Sequence, residues 1–543
     1  MSVNNSINPQ SSINPQSQYV GVRYSAPPPS PQPKKLREYT GIEKAFAWLS
    51  FIFGYLFCRA FPVGDSPLGG FLFVVILFVV TASVLKIKGC KLGVLSVVLS
   101  LSAIVVSASL IVSNSSFIYF FAYSYALAVY CYFVYSVVGD YSQNGFSDFI
   151  IVDFFKSLFI APFFAFSHLF RGMFSGRATT GGKVISRVLL GIALAIVPTA
   201  IVLGLLCYDE SFYALIRKIF DFDFVDVISH IFSLGVAIPI GMYIFGLFIS
   251  SSDKMCDDVM TRSECSKVFR SLRIAPTATI MAAAIPLILV YIVFFISQLD
   301  YYVSGFSGSL PQNMSYSGYA RDGFFQLCTV CVINLVVIIL ALMFMKRKTD
   351  STPISLKIIT VIYSVFTLIL ISTAISKMVM YIGYYGLTQK RVYATWFMIL
   401  LALVFIIIAV KQFAPNFKAI ASVFVVCVVL FAGLALSNVD SYIASYNVDR
   451  YLEGSIQNLD AYTMYRDLGD SAIPDLVRAY KEMSGQEMDG GFNSSSKANE
   501  YDELENTLQR VARMKKNDES GIFSFNIPSV RAENALRDIG FYG

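Results

Sequence analysis

"YARDGFFQLCTVCVINLVVIILALMFM", Tyr319–Met345, decides the fold. From Gly323 onward it carries no charge. It exceeds the ~20 apolar residues that a helix needs to cross a bilayer core. Runs like it recur along the whole chain. The 543 residues are 56% hydrophobic and only 14% charged, with a mean hydropathy of +0.62. Only helices and closed barrels satisfy their backbone in lipid, and the short alternating strands of a barrel are not visible. The expected fold class is therefore all-α, a polytopic transmembrane helix bundle with a small C-terminal α-helical domain.

Spans are expected at about 44–61, 67–85, 92–112, 117–138, 188–207, 228–250, 276–297, 323–345, 358–381, 393–410 and 418–437, which makes eleven. The run 149–170 is apolar but includes Asp153, Lys156, Pro162 and His168. It is expected to lie flat in the interface as an amphipathic segment. With that arrangement, 24 lysines and arginines fall on one side of the membrane and 6 on the other. The excess belongs in the cytoplasm, which puts the N-terminus inside and the C-terminus outside. A twelfth span at 149–170 would move the basic loop from Lys254 to Arg273 outside, against the same rule.

Two regions differ from the spans. Residues 1–40 are polar, repeat "SINPQS" in tandem and continue into "APPPSPQP". This reads as a disordered cytoplasmic tail acting as a spacer, with no cleavable signal peptide. Residues 438–543 hold 18 acidic and 11 basic residues, net −7, and no cysteine. Helical periodicity in "SYIASYNVDRYL" and "YDELENTLQRVARM" predicts a small extracytoplasmic α-helical domain with a loose segment near Met488–Ser496. "LGDSAIPDLV" reads like one helical-repeat unit, which would suit protein binding.

Chemistry-bearing residues are sparse. His168 and His230 are the two histidines. His230 follows Asp221, Asp223 and Asp226 in "DFDFVDVISH", but the spacing matches no metal cage, and a solvated acidic helix start explains it better. "GRATTGGK", Gly176–Lys183, lacks the first glycine and the final Ser or Thr of a phosphate loop. Cys328 and Cys331 have the CxxC spacing within a membrane-depth helix, where packing is the expected role. No catalytic residue, metal, cofactor or nucleic-acid partner is expected. The lipid bilayer is the one expected partner, with envelope proteins a further possibility through the C-terminal domain.

Polar residues in the spans are the remaining signal. Asp322, Gln326 and Thr329 share a face at i, i+4 and i+7, with Asn334 drifting from it. Such a face is expected to turn inward to neighbouring helices. Lys377, with Thr373 and Ser376, is expected to snorkel to the interface, or alternatively to pair with Asp322. Arg321, Lys390 and Arg391 break the positive-inside pattern; they are expected either to rest on lipid phosphates or to be matched by an acidic partner, for which the acidic C-terminal domain is the candidate. In Tyr319–Leu327, Asp322 favours the positive end of the helix dipole, Phe324 and Phe325 suit interface depth, and Gly323 allows close approach of a neighbour.

Three stretches carry a resemblance: "YARDGFFQL", "YGLTQKRVYATWFMILLALVF" (Tyr385–Phe405), and "SNVDSYIASYNVDRYL" with "DLGDSAIPDLV" (within Ser437–Val477). Their order and spacing resemble the bacterial membrane proteins grouped as domain of unknown function 4173, and its relative 4153, over roughly Ala275 to Met483. By that resemblance the shared positions are Tyr319, Arg321, Gly323, Phe324, Phe325, Arg391, Tyr393, Asn447, Arg450, Tyr451, Asp470 and Pro474. The resemblance implies no activity and carries over no catalytic residue. All three stretches fall on the outer side of the expected topology, which suggests an assembly at that face. The favoured function is an integral protein of a bacterial cytoplasmic membrane that anchors an external helical domain for envelope interaction or sensing. One alternative is a transporter with polar faces lining a path. The other is a membrane enzyme whose Arg321 and Arg391 hold phosphates of lipid-linked envelope precursors.

Overall fold

The computed structural model describes residues 37–60, 66–138, 150–174, scattered positions between 191 and 209, 224–297, 316–347, 352–456, 458–488, 495–517 and 521–542. Most of the expected tail, the phosphate-loop-like stretch, most of the expected span at 188–207 and most of the loose segment near Met488–Ser496 lie outside the described residues. Residues 1–39 and 40–543 form separate units, and the helices belong to the second.

The described residues include eighteen helices: α1 (Gly41–Ala60), α2 (Pro67–Ile87), α3 (Val94–Val112), α4 (Ser116–Val138), α5 (Ile150–Phe164), α6 (His168–Phe174), α7 (Phe224–Ser252), α8 (Arg262–Ser271), α9 (Thr277–Ser297), α10 (Tyr316–Phe344), α11 (Ile354–Tyr385), α12 (Gln389–Phe413), α13 (Ala419–Leu436), α14 (Val439–Leu452), α15 (Ala461–Leu468), α16 (Ile473–Met488), α17 (Ser495–Lys516) and α18 (Ile527–Asp538). Ten of them, α1–α4, α7 and α9–α13, are long and apolar enough to cross a membrane. Among the described residues there is no strand. One isolated bridge ties the start of α9 to the end of α10, with Ala275 N–H donating to Phe344 O and Lys346 N–H to Ala275 O.

Small residues set the closest crossings. Gly54 of α1 lies against the Ala237 carbonyl, and Gly241 of α7 against Phe51 and Ser50, so a side chain at either glycine would drive the two helices apart. At one end of this group Lys88 donates to Glu43 and to Ser252, each at 2.9 Å, joining α1, α2 and α7. At the other end the Tyr55 hydroxyl meets His230 Nδ1 at 2.7 Å. That contact accounts for the ring nitrogen of His230; Asp221, Asp223 and the side chain of Asp226 lie outside the described residues.

The segment 150–174 is a helix pair bent by 56°. Its outward face carries Ile151, Phe155, Phe159, Phe163 and Phe164, and its inward face buries Lys156 and Ser157. Pro162 has no N–H to give Leu158 O in the preceding turn, where a π-turn spans Lys156–Ile160. The Tyr243 hydroxyl supplies the missing donor at 2.8 Å. Phe154 stacks on Tyr132 and meets Phe424, Gly246 packs on Pro162 O, and Phe174 meets Trp48. Every one of these partners lies in the half of its span nearer the Lys88 end.

The opposite end carries α14–α18. Their apolar core includes Ile443, Val448, Leu476, Leu504, Leu508, Val511 and Leu536, and continues without a break into Leu387 and Leu434 at the ends of the spans. Ile382, Val392 and Trp396 pack against it. Thus the C-terminal helices rest directly on the turn between α11 and α12 and on the end of α13.

Candidate functional site

The site begins at a sharp turn. α11 ends at Tyr385, and Gly386 follows with φ +77°, a conformation that side chains resist. A Cβ there would also stand 2.5 Å from Asn447 Oδ1. The lack of a side chain lets α14 approach. Asn447 then grips the next residue with both ends of its amide: Oδ1 accepts from Leu387 N–H at 2.7 Å, and Nδ2 donates to Leu387 O at 2.9 Å.

Two arginines close on the same turn. Arg391 donates to Tyr385 O at 3.0 Å and to Gly386 O, with its guanidinium 4.2 Å from the centre of the Tyr381 ring. Arg450 donates to Gly383 O at 2.6 Å. Both therefore neutralise the carbonyls and the negative dipole end of α11. The expectation that an acidic partner holds Arg391 is corrected: backbone carbonyls and a tyrosine face do so. Lys390, its neighbour, is exposed.

Beside this clamp lies a buried polar cluster. Asp440, in the first turn of α14, is 1% exposed. Its Oδ1 accepts from Gln389 Nε2 at 2.7 Å, while Oδ2 is buried with no hydrogen-bond partner among the described residues. Burial raises its carboxyl to about 6, against the lowering by the Gln389 amide. Tyr393 and Tyr119 are close enough to interact with it electrostatically. The Tyr393 hydroxyl pairs with Ser115 at 2.8 Å, and its ring stacks on Phe117. Tyr393 thus joins α12 to α4.

In front of the clamp is a cleft of about 760 Å³. Leu387, Ile443, Leu459 and Met464 give it an apolar floor, and Lys390, Arg466 and Asp467 a charged rim. Asp460 caps α15 by accepting from Thr463 N–H at 2.7 Å.

The other positions singled out by the resemblance serve the C-terminal helices. Tyr451 donates to Glu500 at 2.8 Å, linking α14 to α17. Asp470 pairs with Lys515 at 2.8 Å, and Lys515 also donates to Ser529, which ties the turn before α16 to α17 and α18. Pro474 sits in the first turn of α16, where its missing N–H costs nothing.

The stretch Tyr319–Leu327 lies elsewhere. The side chains of Tyr319, Arg321 and Asp322 are outside the described residues. Gly323 faces Lys377, whose Nζ is 3.2 Å from where a Cβ would stand, so the expected close approach is to a lysine. Lys377 is 7% exposed and does not snorkel to the surface. Phe324 is buried in the α9–α12 core with Leu327 and Cys331, while Phe325, Gln326 and Thr329 are exposed. The inward polar face expected from Gln326 and Thr329 is therefore corrected: apolar packing claims the inner face, and Thr329 satisfies its hydroxyl on Phe325 O. Asn334 does turn inward. It donates to Thr367 at 2.9 Å and accepts from Tyr291, joining α9, α10 and α11.

Sequence reasoning passed over Gly386, Gln389 and Asp440. The glycine following a long apolar run and the lone acid just after the last span were the available signals.

A family model described as "Domain of unknown function (DUF4153)" matches residues 100–479. It begins in α3, well before the stretch from Ala275 that carried the resemblance, and it is the relative 4153 rather than 4173 that matches. Comparison with curated proteins gives no match, and comparison with solved structures gives none.

Proposed function

The chain belongs to the family described as domain of unknown function (DUF4153) and is a multi-pass membrane protein; from that premise we propose that its bundle anchors a helical domain, α14–α18, at the outer face of a bacterial cytoplasmic membrane. The cleft at the joint recognises a polypeptide segment of another envelope component. One observation carries this reading: Arg391, Asn447 and Arg450, from two separated stretches, converge on the single turn 383–387. They fix the domain to the bundle and leave an apolar-floored, charge-rimmed cleft beside the joint.

The orientation rests on the excess of lysine and arginine on the side of Lys88 and Lys346. The half-depth contacts of α5 and α6 support a membrane-embedded segment that enters and leaves on that side, in place of one lying flat in the interface; either arrangement keeps the loop Lys254–Arg273 inside. Phosphate capture by Arg391 is disfavoured, because its guanidinium is engaged by carbonyls. A transport path past Asn334 is disfavoured as well, because that side chain is packed and hydrogen-bonded across three helices.

A photocrosslinking residue at Thr463, on the cleft wall, tests the reading in intact cells. The expected result is a discrete adduct with one envelope protein, lost when Asp467→Lys reverses the rim charge. The reading fails if Thr463 gives no adduct, or gives the same adducts as a residue placed at Glu533 on α18.

A further inference from the structure

The C-terminal helices touch the bundle at a second place. Between α17 and α18 the chain makes one short 3-10 turn, Ile522–Ser524, inside the sequence "GIFSFN". Three residues of this stretch present large apolar side chains: Ile522 is 83% exposed, Phe523 60% and Phe525 47%. A surface turn of an acidic domain gains nothing in water from exposing three such groups within four residues.

The position of the turn explains them. Phe523 lies against Gly69, its Cβ 3.6 Å from where a Cβ on that glycine would stand. Gly69 is the third residue of α2, an apolar span. At 1.5 Å per residue, Phe523 lies within ~5 Å of the first residue of α2, the end at which a span meets the headgroups. That is the depth at which aromatic side chains are at ease between headgroups and acyl chains. The outward side of α2 continues as a lipid-facing surface through Ile76 and Val79, both exposed. The last turn of α17, before the 3-10 turn, carries Arg513, Lys515 and Lys516, and Arg513 and Lys516 are exposed, as basic groups near anionic headgroups would be.

We infer that Ile522, Phe523 and Phe525 insert into the headgroup–acyl boundary of the leaflet that α2 enters, as a second membrane contact of the C-terminal domain. The domain is then held at two points. One is its covalent root on α13, with the clamp beside it. The other is this aromatic turn on α2. The inference depends on the membrane entry of α2 and not on which side of the membrane that is. It therefore stands or falls separately from the recognition role of the cleft.

The test uses the full chain in lipid nanodiscs. Phe523→Trp adds one fluorophore, read as a difference from the parent protein, with lipids brominated near the headgroup as quencher. Ile522→Trp is a second reporter should the first variant misfold. Tyr462→Trp is the control, since Tyr462 borders Asn499, Asp502, Glu503 and Arg510 of α17. The added emission at 523 or 522 is expected to lose most of its intensity in brominated lipid, while that at 462 keeps it. Emission at 522 and 523 that brominated lipid leaves unchanged, or that falls only as much as at 462, overturns the inference.

Discussion

Asn334 and Asn447 make the same junction in two different solvents. Each uses both ends of its amide to join elements distant in sequence. Asn334 binds Tyr291 and Thr367 within the bundle. Asn447 binds the N–H and the carbonyl of Leu387 at the end of the bundle. The difference lies in what each leaves behind when removed. The Thr367 hydroxyl already donates to Tyr363 O on its own helix, so removing Asn334 leaves the Tyr291 hydroxyl as the group to be re-satisfied. Leu387 is buried at a turn where no helix ladder can take over its N–H and carbonyl. The inner asparagine is glue among packed spans, whereas the one at the turn is a clamp.

The sharpest way to break that comparison is at the turn itself. Gly386→Ala combines a positive φ with a Cβ placed against Asn447. It is expected to destabilise the joint by about 4 kcal/mol, as strain and as the loss of the clamp. Thermal unfolding of the purified full chain would show this as a separate, earlier transition of the C-terminal helices.

Asp440 gives the next largest effect, and its sign is set by burial. Its carboxyl stands at about 6 in the fold, against an ordinary 3.8. Between those values the folded chain holds a proton that the unfolded chain has lost. Stability therefore falls as pH rises from about 4 to 6, by about 3 kcal/mol, and stays low above that window. Asp440→Asn keeps an acceptor for Gln389 and is expected to flatten this dependence and raise stability at pH ~7.5. Unfolding midpoints measured from pH ~4 to ~8 would check it; a variant that keeps the parent's slope contradicts the assignment.

Asn447→Ala should cost about 2 kcal/mol, from the stranded backbone of Leu387. Asn334→Leu should cost only about 1 kcal/mol and leave the C-terminal helices untouched. A double variant of the two asparagines should be additive, because the sites share no partner. Coupling between them in unfolding measurements would mean the two junctions are not separate.

The spans were legible in the sequence because ~20 uncharged residues leave lipid as the natural solvent. So were the C-terminal helices, through their 3.6-residue period. The positions of Arg391, Asn447 and Arg450 were legible through a resemblance, but their roles were not. Asn447 lies 60 residues from Leu387, and no local pattern announces that pairing. In the sequence Arg391 reads as a charge seeking an opposite charge, yet the negative end of α11 lies closer. Gln326 and Thr329 read as turned inward, while Phe324, Leu327 and Cys331 compete for the same interior and pack it better. Polar spacing alone cannot decide which face of an apolar helix its neighbours cover.

Arg391 on α12 and Asn447 and Arg450 on α14 hold the C-terminal helices on the α11–α12 turn. Amide hydrogen exchange of the full chain in nanodiscs tests it most directly, comparing the parent with Asn447→Ala. The predicted result is faster exchange in two places at once, residues 386–392 and helix α14, with the α9–α10 pair unchanged. Unaltered exchange at the turn and in α14 would contradict it.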